Sequence, residues 1–151
     1  MSVIFVIGPS CAGKSTFIAN RYPNLRKIDL YDYQSHLFER KFYTIDDILK
    51  SYEDCKRDVV EAVKNNEDIV LEHTMLKAIR RKEYIDAIRE VSDTKIGIVV
   101  IYPSDEKILE HAEKRGIKMS QKELDDYREL YEEPKVTEGY SKISIFRQEI
   151  E

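Results

Sequence analysis

Val3-Ile4-Phe5-Val6-Ile7-Gly8-Pro9-Ser10-Cys11-Ala12-Gly13-Lys14-Ser15-Thr16 is the stretch on which the reading of this chain turns. Five apolar, mostly β-branched residues describe a short buried strand, and directly after them stands G-x-x-x-x-G-K-S in full. Glycines let such a loop wrap until successive backbone N–H groups face inward on an anion. The helix that follows turns its positive N-terminus to the same point. Gly8, Ser10, Cys11, Ala12, Gly13 and Thr16 are therefore expected to line a nucleotide's phosphates. Lys14 would reach the outer phosphates, and Ser15 would ligate a Mg²⁺ ion. A thiol so near a helix N-terminus is a candidate reactive group, although a small filler at a permissive position is the simpler reading of Cys11.

Outward from this loop, strands and helices alternate. Further strands are expected at Arg26–Asp29, 69–71, 96–102 and Lys142–Phe146. Helices are expected at Lys14–Arg21, 44–65, 76–91, Asp105–Lys114 and 121–132. Thr44 before Ile45-Asp46-Asp47 and Ser104 before Asp105-Glu106 are helix start signals, and Ser120-Gln121-Lys122-Glu123 is a capping box. This alternation implies an α/β fold of three layers, with a central parallel sheet of about five strands covered by helices on both faces. Ligands of such sheets bind beyond the carboxyl ends of the strands.

Composition narrows the reading further. A chain of 151 residues reads as one domain, 1–151, and folding at this length buries roughly 70% of the unfolded surface. With 25 Lys+Arg against 29 Asp+Glu the net charge is −4, which excludes a surface that attracts nucleic acid or acidic membrane everywhere and leaves room only for a local basic cleft. Cys11 and Cys55 form neither a disulfide framework nor a metal spacing. The apolar N-terminal run has no basic leader and is too short to span a bilayer, so a cytoplasmic protein without membrane association is expected.

Transfer chemistry needs an acid on the acceptor side as well, because the loop handles only the donor. Asp29 and Asp32, at the end of the second strand, are the candidates, with Asp32 first; the alternative for Asp32 is to N-cap a helix beginning near Tyr33. Glu72, at the tip of the apolar strand 69–71, is placed to hold Mg²⁺, and His73 and Thr74 follow it toward the substrate. Arg80 and Arg81 are candidates for a substrate phosphate, or else a solvated helix face. Lys114-Arg115-Gly116 and Lys118 sit between two helices in the manner of a lid, about 111–133, that closes over nucleotide. An arginine delivered there is worth about 10³ to 10⁵ in rate where its effect has been isolated. The simpler alternative is that Lys114 and Arg115 complement the negative end of their helix.

The order of these residues resembles the P-loop kinases grouped with polynucleotide 5′-hydroxyl kinase, which carry an AAA-type, ATP-binding, kinase-like domain. The resemblance runs from Gly8–Thr16 through Ile28–Tyr33, Glu72-His73-Thr74-Met75-Leu76, Arg80-Arg81, Ile98–Tyr102 and Lys114-Arg115-Gly116 to Glu132-Glu133-Pro134 and Glu138-Gly139-Tyr140. It implies ATP and Mg²⁺ as cofactors and γ-phosphoryl transfer to a hydroxyl. In that family's terms Lys14 and Ser15 are the loop residues, Arg115 is a lid arginine, and Glu72 stands where Asp is more usual. The family's Arg-Asp-Asp-x-x-Arg reads here Leu30-Tyr31-Asp32-Tyr33-Gln34, so the arginine for the substrate phosphate is replaced by Gln34, and a second lid arginine by His111.

The resemblance thus implies a kinase whose acceptor is a polynucleotide 5′-hydroxyl, a nucleoside or another small metabolite. If the acceptor is nucleic acid, Arg80, Arg81, Lys114, Arg115 and Lys118 must form the basic cleft. Two alternatives compete. Gly8-Pro9-Ser10-x-Ala12-Gly13-Lys14-Ser15-Thr16 also resembles the loop of guanylate kinases, hence a nucleoside monophosphate kinase, and a nucleotide-dependent ATPase or switch would use the same loop.

Overall fold

The computed structural model describes residues 2–147, and in it β1 (Val3–Ile7) is the middle of a five-stranded, wholly parallel sheet. Its neighbours are β3 (Ile69–His73) and β4 (Ile96–Ile101), with β2 (Arg26–Asp29) and β5 (Lys142–Phe146) at the edges. The helices are α1 (Lys14–Arg21), α2 (Leu30–Phe38), α3 (Ile45–Lys64), α4 (Ala78–Arg89), α5 (Asp105–Lys114) and α6 (Gln121–Leu130).

Alternation along the strands explains why both faces are buried. Val3, Phe5 and Ile7 share a face with Ile69, Leu71, Ile96, Ile98 and Val100, and this face packs on Cys55, Val59 and Val63 of α3 and Tyr84, Ile85 and Ile88 of α4. Val6, Val70, Val99 and Ile101 turn the other way, onto Phe17 and Ile18 of α1. Strands covered on both faces need the near-continuous apolar runs found here. The same register puts Glu72 beside Val6 on one side and Asp29 on the other. Both carboxylates therefore lie on the α1 face, at the carboxyl edge where the glycine loop begins.

Several element ends fall one or two residues from expectation, and three differences bear on the site. β3 runs on through Glu72 and His73, α4 begins at Ala78 rather than at residue 76, and a helix starts immediately after β2. This last helix, α2, is capped by Asp29 and not by Asp32: the Asp29 Oδ1 accepts the N–H of Tyr31 at 3.0 Å. Asp32 sits in the first turn, exposed. The capping boxes of α3 (Thr44 with Asp47) and α6 (Ser120 with Glu123) are formed.

α5 and α6 make a hairpin over the sheet edge. Gly116 ends α5 at φ 70, its N–H donating to the Glu113 carbonyl at 3.0 Å and that of Ile117 to the Ala112 carbonyl at 2.9 Å, which is a Schellman closure. Arg128 of α6 clamps the start of α5, donating to Asp105 from Nε (3.1 Å) and Nη2 (2.9 Å) and lying 4.3 Å from the centre of the Tyr102 ring.

Arg81 is the largest fully buried side chain, 0% exposed. Its Nε and Nη2 meet Glu138 at 2.9 and 3.2 Å, and its Nη1 holds the carbonyls of Met75 and Leu76 at 3.0 Å each. These bonds fix the extended turn after β3, which is why α4 starts late. The expected contact of Arg81 with substrate is corrected accordingly: the guanidinium is consumed inside the fold. Arg81→Ala takes the charged partner from Glu138, which keeps the Lys135 N–H and the Tyr140 hydroxyl, and a donor from the Met75 and Leu76 carbonyls, and is expected to cost about 3 kcal/mol, read as a lowered denaturant midpoint. Burial works against ionisation of Glu138, but bonds from Arg81 and the Lys135 N–H outweigh it and hold the carboxyl below its usual range. A depressed folded-state pKa contributes stability above the unfolded value of 4.5 and loses it as pH falls through the folded value. Glu138→Gln is therefore expected to flatten the acid limb of the stability profile below about pH 4.5.

Candidate active site

The carboxyl ends of β2, β3 and β4, the first turn of α1 and the α5–α6 hairpin surround a cavity of about 940 Å³. Its floor is the glycine loop. Gly8 is obligatory there, since a Cβ would stand 2.1 Å from the Ile101 carbonyl oxygen. Lys14 is buried, with Nζ donating to the carbonyls of Gly8 (2.7 Å) and Pro9 (3.2 Å). Desolvation lowers its pKa to about 8 while the charges of Glu72 and Asp29 resist the fall, so Lys14 carries its charge at neutral pH.

Ser15, on the first turn of α1, donates Oγ–H to the Glu72 carboxylate, with both oxygens at 2.9 Å. Asp29 is half-buried in register with Glu72, and burial together with that neighbouring carboxylate raises its pKa above the usual range. Lys27, two residues back on the same strand face, balances the pair from 3.7 Å (Glu72) and 3.9 Å (Asp29). A serine hydroxyl against a carboxylate is an oxygen donor set of the kind Mg²⁺ takes, one or two protein groups completed by water and phosphate. The residues present therefore fit a Mg²⁺–nucleotide complex. Among the described residues no group of three or more His, Cys, Asp or Glu is placed to hold a metal.

The α5–α6 hairpin touches the loop at Cys11. That residue takes φ 63, its carbonyl meets His111 Nδ1 at 3.0 Å, and its Sγ lies 3.7 Å from Arg115 Nη1. Arg115, Lys114 and Lys118 all line the cavity on this side.

The opposite wall comes from α2 and the end of β3: Tyr31, Gln34 and Phe38, with His73 and Thr74. Gln34 Nε2 donates to Ser51 Oγ at 3.2 Å. His73 Nδ1 accepts the Met75 N–H at 3.2 Å, its ring stacks on Tyr52, and its Nε2 is buried with no partner among the described residues. Burial, reinforced by the charges of Lys14 and Arg80, lowers the His73 pKa to about 3.

Of the residues singled out in the sequence, Ser10, Cys11, Ala12, Gly13, Lys14, Ser15, Thr16, Asp29, Gln34, Glu72, Thr74 and Arg115 line this one cavity, and Gly8 holds Lys14 from beneath. Asp32 does not line it. Positions 31, 34 and 38 share one face of α2, and Asp32 lies roughly 100° round from Tyr31. Arg80 is exposed and paired with Glu83 at 3.0 Å, outside the cavity, and Arg81 is buried in α4. Of the expected basic cleft, Lys114, Arg115 and Lys118 line the cavity, together with Lys14 and Arg21. Tyr31 and Phe38 escaped the sequence reading, although their i, i+3, i+7 spacing with Gln34 was a usable signal once α2 is known to begin at Leu30.

The sequence pattern of the AAA domain family matches residues 3–134, and the chain belongs to this family in its P-loop, kinase-like form. A candidate kinase from Chloroflexus aurantiacus is similar in structure with a TM-score of 0.74 at 11% identity, over 97% of this chain and 87% of that one. A gluconokinase from Sinorhizobium meliloti 1021 gives 0.64 at 21%, over 97% and 82%. A chain of the Pnkp1/Rnl/Hen1 RNA repair complex gives 0.67 at 15%, over 87% of this chain and 46% of that one. Identities this low establish the shared α/β P-loop kinase fold and nothing finer. No curated protein sequence matches the chain. Among the described residues no helix is long and apolar enough to cross a membrane.

Proposed function

We propose that this protein is an ATP-dependent phosphotransferase that moves the γ-phosphoryl group to a hydroxyl acceptor. One observation carries the reading: the Ser15 hydroxyl on Glu72, the Lys14 ammonium and the Asp29 carboxylate converge on a single cavity. Ser15 and Glu72 would hold Mg²⁺, which when bound would offset negative charge on the nucleotide's phosphates. Lys14 exchanges the Gly8 and Pro9 carbonyls for phosphate oxygens. Asp29, which lines the cavity where Asp32 does not, takes the acceptor's hydroxyl proton. The new bond joins the acceptor oxygen to the γ-phosphorus, the bond from that phosphorus to the β,γ-bridging oxygen breaks, and its electron pair leaves on ADP. Arg115, delivered by the α5–α6 hairpin acting as a lid, offsets charge on the transferring group.

The acceptor belongs to the set the resemblance implies: a polynucleotide 5′-hydroxyl, which Lys114, Arg115 and Lys118 would have to steer, or a nucleoside or other small metabolite. We take residues 1–151 as one working unit. Free, buried Cys11 and Cys55 suit a reducing compartment, hence the cytoplasm. Incubation with γ-labelled ATP and Mg²⁺ over a panel of 5′-hydroxyl oligonucleotides, nucleosides, sugars and nucleoside monophosphates tests the reading. Label joined to a hydroxyl acceptor is the expected result; label confined to monophosphate acceptors, or released only as inorganic phosphate, counts against it.

A further inference from the structure

The cavity has two unlike sides. Its cations are Lys14, Lys114, Arg115 and Lys118 on the loop and the hairpin, where the donor's phosphates would bind, and Arg21 at the end of α1. The wall behind Asp29, built by Tyr31, Gln34, Phe38, His73 and Thr74, holds no lysine or arginine among its described residues. Of the basic side chains near this wall in sequence, Lys27 pairs with Asp29 and Glu72, Arg80 with Glu83 and Arg81 with Glu138, while Arg40 and Lys41, just beyond Phe38, are exposed and outside the cavity lining. A phosphate brought to this wall would meet the Asp29 and Glu72 carboxylates, between which the charge of Lys27 is already shared, and a desolvated anion in that position is strongly disfavoured.

What the wall does supply is neutral hydrogen bonding and apolar area. Gln34 offers an amide, Thr74 a hydroxyl, and His73, whose Nδ1 already accepts the Met75 N–H, keeps its remaining proton on Nε2. That Nε2–H is a donor 94% buried by residue and unpartnered among the described residues, a cost that a ligand oxygen would relieve. Tyr31 and Phe38 line the cavity while 59% and 50% exposed, and Phe38 continues onto the Tyr43 ring at 5.8 Å, so an apolar or planar body laid there gains burial.

We propose that the acceptor is an uncharged, hydroxyl-bearing small molecule whose hydrogen-bonding groups meet Gln34, Thr74 and His73 and whose apolar body lies on Tyr31 and Phe38. This rests on the phosphotransferase reading and narrows it. Nucleosides and free sugars share the chemistry and form separate arms of the test, and anionic ends such as a 5′-hydroxyl oligonucleotide are the wrong class.

The test measures kcat/KM with ATP and Mg²⁺ for nucleosides and free sugars against nucleoside monophosphates and 5′-hydroxyl oligonucleotides, in the wild type and in Gln34→Arg. An uncharged acceptor is expected to be favoured at least about 10-fold over every anionic one. Gln34→Arg is expected to shift that ratio about 10-fold toward the anionic acceptors while leaving the KM for ATP unchanged, a split that a merely structural role for Gln34 would not produce. Preference for oligonucleotides or monophosphates in the wild type, or a ratio unmoved by Gln34→Arg, overturns the acceptor class while leaving phosphoryl transfer standing. ATP bound but label transferred to no acceptor overturns the phosphotransferase reading itself.

Discussion

Lys14→Ala is expected to lose phosphoryl transfer by at least about 10³-fold while remaining folded. The ammonium is buried, and among the described residues it donates to the Gly8 and Pro9 carbonyls. No other described cation is so placed: Arg115 approaches the loop from above, at Cys11, and Lys27 is turned to the two carboxylates. Alanine therefore removes charge from the outer phosphates with nothing to replace it. Because desolvation already disfavours the charged lysine, its removal does not take away a source of folding stability. Steady-state transfer and a thermal melt on the same sample check both halves. Wild-type turnover by this variant would refute the role of the loop.

Asp29→Asn is expected to lower kcat by about 10²- to 10⁴-fold with ATP affinity retained. The substitution is clean on structural grounds. Asp29 also caps α2 through the Tyr31 N–H, and asparagine caps as well as aspartate, so the helix keeps its start, and what is lost is the base and its long ion pair with Lys27, which still faces Glu72. Asp32→Asn, exposed and outside the cavity, is expected to change kcat less than about 2-fold. If the two variants exchange these behaviours, the base is Asp32 and α2 must rotate or shift on substrate binding.

That reversal of priority between the two aspartates shows where the sequence was legible and where it was not. β1, the glycine loop and α1 read directly, because a chemical motif and an apolar run coincide within one short stretch. Both edge strands are weaker runs, yet they fall where they are expected between the helices. At Asp29 the strand ends and the helix is capped by the same residue, with no glycine or proline between them to mark the turn. A sequence reading then has two aspartates three apart and no means of choosing which one caps. Arg81 was illegible for a different reason: the partner that makes it part of the core, Glu138, lies 57 residues downstream in a short 3₁₀ turn. His111 beneath the lid is 100 residues from the Cys11 carbonyl it meets, so its substitution for arginine could be noticed but its contact could not. Local patterns expose local structure, and these side chains take their roles from long-range contacts.

The fate of the γ-phosphorus tests the central claim most directly. With γ-labelled ATP, Mg²⁺ and a panel of hydroxyl acceptors, the label is expected in a phosphate ester of one acceptor, with none formed by Lys14→Ala and at most about 1% of the wild-type rate by Asp29→Asn. Label recovered solely as inorganic phosphate, at a rate that Asp29→Asn leaves unchanged, would contradict a phosphotransferase and mark the chain as a nucleotide hydrolase instead.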